Sequence, residues 1–145
     1  MTGFMQIALA EAMAAAARAE VPVGAVLVRN GEVLAVAGNR VEELLDPTAH
    51  AEILAIRAAA AGRGGRLEGC DLYVTLEPCP MCAAAIALAR IRRVYFGAYD
   101  PKGGGIDHGA RVFDHPTCHH RPEIYGGIEE RRAAALLRDF FRARR

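Results

Sequence analysis

A strand–helix–strand unit in the middle of the chain constrains the fold more than any other feature. The residue pattern predicts a strand over Asp71–Leu76, a helix over Pro80–Ile91 and a second strand over Arg93–Ala98. Because a helical connection of this length crosses over the sheet, the two strands are expected to pair in parallel. The chain is therefore predicted to be an α/β protein.

The remaining segments complete the prediction of the fold class. Three more helices are predicted over Phe4–Ala19, about Ala49–Ala61 and the end of the chain, and three more strands over Gly24–Arg29, Glu32–Ala37 and Glu123–Tyr125. The dipeptide Asn30-Gly31 favours a tight hairpin, because both of its residues tolerate positive φ. We expect a single domain, residues 1–145, in which a mixed β-sheet of about five strands is flanked by helices in three layers. The apolar helical segment Ala83–Ala89 is expected to be wholly buried or partly at a subunit interface.

Composition and charge exclude some classes of protein. The chain is 52% hydrophobic with a formal net charge of +1. No apolar run approaches the roughly 20 residues that a membrane-spanning helix needs. The pattern of a secretory signal is also missing, so a cytoplasmic location is expected. The terminal segment Ile128–Arg145 is locally basic, which suits either a solvated helix face or a contact with phosphates.

Two short motifs carry the residues with recognisable chemistry: His50-Ala51-Glu52 and Pro78-Cys79-Pro80-Met81-Cys82. One imidazole and two thiolates suit zinc, and three protein ligands leave the fourth tetrahedral position open, as in catalytic sites. Two thiolates balance the charge of the metal, so zinc held in this way is a mild Lewis acid and a neighbouring base is useful. We predict that His50, Cys79 and Cys82 bind one zinc ion per chain and that Glu52 is the base.

The local sequence explains how these side chains would reach one point. Proline is favoured at the first position of a helix, so Pro80 places Cys79 at a helix entrance, with Cys82 three residues on and on the same side. His50 and Glu52 are two residues apart and would reach one metal together only from the first turn of their helix. Asp46 and Thr48 are the expected capping residues there.

Other interpretations of the cysteine pair remain open. It is also typical of a redox dithiol, or of a structural zinc site closed by a fourth ligand from among His115, Cys118, His119 and His120. The three adjacent residues in this set would chelate one ion poorly. A core-filling role for His50 would leave Glu52 unexplained.

The two motifs together match the signature of zinc-dependent nucleobase deaminases, H-x-E followed by P-C-x-x-C. The similarity extends to Val21–Val28, Asn39-Arg40, Asp46–Glu52, Leu72–Cys79, Phe96–Ala98 with Asp100, and Leu136–Arg142. Over nearly its whole length the chain thus resembles the bacterial tRNA-specific adenosine deaminases. The resemblance implies a cytidine-deaminase-like fold. It also implies a homodimer that converts adenosine to inosine at the wobble position of a tRNA anticodon stem-loop.

The same resemblance implies roles for residues around the metal. Asn39 would hydrogen-bond the flipped base, the Ala51 N–H and Glu52 would read its edge, and Val23 would pack against the ring. Asp100 and Lys102 would lie beside the flanking nucleotides, and Phe141 with Arg142–Arg145 along the anticodon loop. The segment Pro101–Gly105 departs from the usual pattern of the family.

Each of these assignments has a plainer alternative. Asn39 and Asp100 are also typical turn residues. Phe141 also suits a core position, and Glu77 suits a helix cap or an ion pair better than catalysis.

Three functional hypotheses follow from the sequence. The first is the deamination of adenosine in tRNA. The second is a free-base or nucleoside deaminase, acting on guanine or cytosine, on the same fold. The third is a zinc-stabilised binding subunit without activity, which the presence of Glu52 disfavours.

Overall fold

The structure is a computed structural model that describes residues 2–144, and its secondary structure follows the predicted order. The helices are α1 (Thr2–Ala17), α2 (Val41–Leu44), α3 (Ala51–Ala60), α4 (Pro80–Leu88) and α5 (Glu130–Arg142), with a short 3₁₀ helix over Val112–Asp114. The strands are β1 (Gly24–Arg29), β2 (Glu32–Gly38), β3 (Cys70–Leu76), β4 (Arg93–Ala98) and β5 (Glu123–Tyr125). The short helix α2 and the 3₁₀ turn were not predicted from the sequence.

The five strands form one mixed sheet in the order β2-β1-β3-β4-β5. Strand β1 pairs antiparallel with both β2 and β3, whereas β3–β4 and β4–β5 are parallel. The parallel pairing of β3 with β4 confirms the prediction from the strand–helix–strand unit. At the hairpin between β1 and β2, Asn30 and Gly31 have φ values of 51° and 78°, as expected for an Asn-Gly turn.

Helices cover both faces of the sheet, which confirms the three layers. On one face, Val26, Tyr73 and Tyr95 pack under α1 and α5. On the other face, Leu27, Leu72, Val74 and Phe96 pack under α3 and α4, and this cluster is the larger of the two. Burial on both faces explains why the central strands are apolar at almost every position.

Close packing of α1 on the sheet depends on a glycine. A Cβ atom on Gly24 would lie 2.0 Å from the carbonyl oxygen of Ala8 and 2.7 Å from the nitrogen of Ala12. Only glycine allows the helix backbone to approach β1 so closely.

Helix α4 is shorter than predicted and is not wholly buried. It ends at Leu88, because Arg90 takes a left-handed conformation with φ 65°. Cys82, Ala83 and Ile86 face the core, while Leu88 is 80% exposed. Of the two expectations for this helix, complete burial is therefore wrong. Among residues 2–144, the structure contains no helix with the length and apolar character needed to cross a membrane.

Candidate metal centre and substrate cavity

The three predicted ligands meet where two helices begin, at the edge of the sheet where the parallel strands β3 and β4 end. His50 is the N-cap residue of α3, Cys79 is the N-cap residue of α4, and Cys82 lies in the first turn of α4. Leu76 and Ala98 close the two strands at the same register position. Such crevices at the carboxyl ends of parallel strands are the usual ligand sites of α/β proteins.

The spacing of the ligand atoms suits a tetrahedral zinc ion. His50 Nδ1 lies 3.6 Å from Cys79 Sγ and 3.5 Å from Cys82 Sγ, and all three ligand atoms lie within 4.8 Å of one another. Zinc bonds of about 2.0 Å to nitrogen and 2.3 Å to sulfur at a tetrahedral angle separate the two atoms by about 3.5 Å. Because the donor set and the spacing agree, the residues fit zinc.

The two thiols depend on each other for ionisation. A hydrogen bond from Cys82, together with one involving His50, lowers the pKa of Cys79 to about 4. The thiolate of Cys79 and burial raise the pKa of Cys82 far above its usual range. Without a metal, only one of the two thiols, that of Cys79, is expected to be ionised. Binding of a doubly charged cation would allow both thiols to ionise.

Glu52 lies beside this group, in the first turn of α3, and is only 4% exposed. Burial raises the pKa of its carboxyl group to about 7. A carboxyl group that exchanges its proton near neutral pH suits general acid–base chemistry. The structure therefore brings all four residues of the two motifs together.

The predicted capping of α3 is wrong. The Ala51 N–H donates a hydrogen bond of 2.8 Å to Asn39 Oδ1, while Asp46 Oδ1 accepts bonds from the backbone N–H and the hydroxyl of Thr48. Asp46 thus stabilises the turn that precedes the helix. The amide of Asn39, which follows β2, replaces the expected cap at the helix start.

A cavity of about 540 Å³ opens over the ligand group, and it is lined by elements from distant parts of the chain. Val23 and Asn39 contribute from the ends of β1 and β2, Glu52 from α3, and Asp100 from the loop after β4. Val23 and Asn39 are 5% and 7% exposed. These four residues were expected around the substrate, and all of them line the cavity.

Three other residues are not placed as expected from the sequence. Among the described residues, neither Lys102 nor Phe141 lines the cavity; Phe140 and Arg144 take this place instead. Phe141 is about half exposed, so the alternative of a core position is wrong. The Ala51 N–H, expected to read the base edge, is buried and engaged by Asn39.

Phe140 and Arg144, which both line the cavity, form a stacked pair. The guanidinium carbon of Arg144 lies 3.5 Å from the centroid of the Phe140 ring, and its Nη1 donates to the Phe140 carbonyl oxygen at 3.2 Å. Phe140 also meets Phe141 edge-on. An aromatic face joined to a cation is a typical receptor for a base and its phosphate.

Two buried glutamates shape the walls of the cavity. Glu20 accepts from the backbone N–H groups of Glu42 and Glu43 and so holds the start of α2. Glu77 accepts from backbone N–H groups of the loop after β4 and from His108. This agrees with the plainer interpretation of Glu77 as an ion-pair residue, whereas the bonded N–H groups belong to a loop and not to a helix start. Glu20 was missed, and its apolar surroundings in the sequence give no signal for it.

The structure does not support a fourth metal ligand from the segment 115–120. In the described part of the chain, His50, Cys79 and Cys82 are the one group of three or more side chains whose ligand atoms converge. The Cys118 thiol instead donates to the His120 carbonyl oxygen at 3.2 Å. A three-ligand group leaves a coordination position open, as in a catalytic site.

The fold and the donor set together define a zinc-binding deaminase domain, and comparison with known proteins agrees. The family model of the cytidine and deoxycytidylate deaminase zinc-binding region matches residues 2–98. The tRNA-specific adenosine deaminase of Agrobacterium fabrum is 59% identical over 145 residues, which covers 99% of this chain and 95% of that protein.

Two solved structures extend the comparison. One, from studies of A-to-I editing by tRNA:A34 deaminases at the wobble position, is 59% identical with a TM-score of 0.92, and the match covers 94% of this chain and 100% of that one. The guanine deaminase of Bacillus subtilis is 33% identical with a TM-score of 0.65, over 85% of this chain and 82% of that one. The chain belongs to the family of tRNA-specific adenosine deaminases, within the zinc-binding cytidine and deoxycytidylate deaminases.

Proposed function

We propose that this protein is a zinc-dependent hydrolase that converts adenosine to inosine at the wobble position of a tRNA anticodon. The observation that carries the proposal is the shared cavity: it is lined by Glu52 with His50 and Cys79, and also by Phe140 and Arg144. The first set is equipped for hydrolysis and the second for nucleic acid. Membership of the tRNA-specific adenosine deaminase family supports the same substrate.

In this proposal His50, Cys79 and Cys82 bind the zinc ion, which acts as a Lewis acid and makes water easier to deprotonate. Glu52 takes a proton from the attacking water. It delivers this proton to the ring nitrogen. It then carries the proton of the newly added hydroxyl group to the departing amine, so that adenosine and water give inosine and ammonia. A buried carboxyl group with a pKa of about 7 can both accept and return a proton at neutral pH.

Asn39 is proposed to recognise the base. Its Oδ1 is committed to the Ala51 N–H at 2.8 Å, which fixes the orientation of the amide. Its Nδ2 has no partner among the described residues, so it is available to donate to a ring nitrogen. In this proposal the Ala51 N–H orients the amide of Asn39 and does not itself contact the base. Val23 supplies an apolar contact for the ring.

Nucleotides that flank the target base are proposed to lie along the C-terminal end of α5 and the loop after β4. Arg144, stacked on Phe140, would receive a phosphate, and the half-exposed Phe141, which meets Phe140 edge-on, would receive a base. Bases of an anticodon loop leave their stack at little cost, and aromatic and arginine side chains commonly receive them. Asp100 lines the cavity nearby, and the exposed Lys102 follows it in the loop.

We further propose that residues 1–145 act as one domain, that the protein is a homodimer and that it works in the cytoplasm. The exposed side of α4 supports the dimer. Leu88 is 80% exposed there, beside an apolar cavity of about 390 Å³ that Val112 and Cys118 also line. Measurement of the molar mass in solution tests this part, and a monomer would contradict it.

The activity is tested with the purified zinc protein and an arginine tRNA that carries a wobble adenosine. Inosine is read as an A-to-G change on sequencing, and a tRNA with guanosine at that position is the control. Ammonia release from free guanine, cytosine and adenosine is measured in parallel. Ammonia from a free base with an unchanged tRNA would overturn the proposal and favour the free-base deaminase.

A further inference from the structure

The carboxylate of Glu77 is the centre of a hydrogen-bond cluster that the proposed chemistry does not use. Its Oε1 accepts from the Asp100 N–H at 3.0 Å and from His108 Nδ1 at 2.8 Å. Its Oε2 accepts from the N–H groups of Ile106, Asp107 and His108 at 3.2, 2.9 and 3.0 Å. The side chain is fully buried. One carboxylate thus holds both ends of the loop that runs from residue 100 to residue 108.

Two glycines of this loop, Gly104 and Gly105, allow it to pack against Glu77 and the start of α4. A Cβ atom on Gly104 would lie 2.5 Å from Glu77 Oε2, and one on Gly105 would lie 2.5 Å from the Pro80 nitrogen. Side chains at these positions would push the loop away from Glu77 and from the start of α4.

His108 closes the cluster from the solvent side. Its Nδ1 carries the proton, because Glu77 as a carboxylate can only accept, and its ring meets Tyr99 edge-on with centroids 6.0 Å apart. Burial acts to raise the pKa of Glu77, but the bonds from Asp100 and His108 outweigh it and lower the pKa below its usual range. The imidazole is about one-third exposed, so it is accessible to substitution without opening the core.

The loop forms the rim of the substrate cavity, since Asp100 and Gly103 line it. Asp100 Oδ1 in turn accepts from the N–H groups of Lys102 and Gly103, at 3.2 and 2.9 Å. We propose that Glu77 and His108 are positioning residues that set the height of this rim and thereby the binding of nucleotides next to the target base. This inference rests on the proposed action on tRNA, and it concerns binding and not the proton transfers.

The test compares His108→Ala, His108→Asn and the matched control Asp107→Asn. The side-chain amide of asparagine can donate a hydrogen bond to Glu77 from about the position of the histidine Nδ1, whereas alanine has no donor there. The Asp107 side chain is exposed and has no hydrogen bond among the described residues, and its backbone N–H is unchanged in the variant. For His108→Ala we expect KM for an anticodon stem-loop to rise about tenfold, with kcat within about twofold and zinc content unchanged. His108→Asn and Asp107→Asn should remain within about twofold of the wild type in both constants.

Amide hydrogen exchange provides a readout that does not depend on activity. The N–H groups of residues 106–108 should exchange about tenfold faster in His108→Ala and at the wild-type rate in the asparagine variant. A change in kcat with an unchanged KM, or unchanged exchange in His108→Ala, would overturn the inference. Failure of the asparagine variant to restore KM would do the same. A wild-type protein that leaves the stem-loop unmodified would instead overturn the proposed function, so the two failures are distinguishable.

Discussion

Substitution of Asn39 separates the two tasks that the structure gives to its side-chain amide. Oδ1 accepts the hydrogen bond of the Ala51 N–H and so caps α3, which carries Glu52. Nδ2 is the proposed donor to the base. Asn39→Ala removes both functions, whereas Asn39→Asp keeps an acceptor for the Ala51 N–H and loses the donor.

The expected stability changes follow from the burial of the capping bond. In Asn39→Ala, the buried Ala51 N–H is left without a partner, which costs about 2 kcal/mol. For a chain of this size that corresponds to a decrease in Tm of about 4–8 °C. Asn39→Asp should lose less than about 1 kcal/mol, because a carboxylate is a good cap at a helix N-terminus.

The expected losses of activity, unlike the losses of stability, are similar in the two variants. Both variants lose the donor, and aspartate in addition directs an oxygen towards the ring nitrogen. Both should therefore lose about 100-fold or more in kcat/KM on an anticodon stem-loop. Thermal unfolding, zinc content and single-turnover deamination measure the three quantities on the same samples. Full activity of Asn39→Asp would refute the donor role, and an unchanged Tm of Asn39→Ala would refute the capping role.

Three further predictions test other parts of the structure. Glu52→Gln should keep its zinc and lose turnover, by at least about 100-fold; an active variant in metal and deamination assays would remove Glu52 as the proton carrier. Deletion of the residues from Arg142 onward should weaken tRNA binding, and the loss should shrink at high salt; equal affinity in a titration across salt concentrations would leave the tail as a solvated face. Gly24→Ala should destabilise the protein by more than about 1–3 kcal/mol in urea unfolding, because the new Cβ collides with the Ala8 carbonyl. Wild-type stability would show that α1 can move away at no cost.

Sequence patterns predicted the strands and the convergence of His50, Cys79 and Cys82, because both depend on local rules. The central strands are apolar at nearly every position, and Pro80 marks the start of α4 whatever lies around it. The two ligand motifs need only that α3 and α4 begin at the same edge of the sheet. The parallel pairing of β3 and β4 provides that edge.

Contacts between distant segments were not predictable in the same way. Asp46 and Thr48 were expected to cap α3 because they are its neighbours in sequence, but Asn39 lies 12 positions before Ala51 and caps it through the fold. Glu20 holds α2 across 22 positions. Such partners have no spacing rule, because the path of the loop between them decides which side chain arrives.

The choice between Phe140 and Phe141 illustrates a second reason why the sequence did not predict every residue that lines the cavity. Both residues have an apolar partner four positions earlier, so periodicity allows either to face the protein. The rotation of α5 about its axis decides between them, and that rotation depends on how Ala133 packs against the sheet. Phe140 is turned inward beside the cavity, with Arg144 one turn further along on the same face.

The position of the ligand group apart from the other residues that line the cavity leads us to expect that one fold can serve different bases. The ligand group and Glu52 are carried by helix starts at a sheet edge, and the guanine deaminase of Bacillus subtilis shares the fold that supplies this edge, at 33% identity. The end of α5 and the loop held by Glu77 also line the cavity, and neither contributes to the ligand group. We therefore expect that a change of substrate within this fold requires changes in that loop and in α5, with the ligand group and Glu52 unchanged.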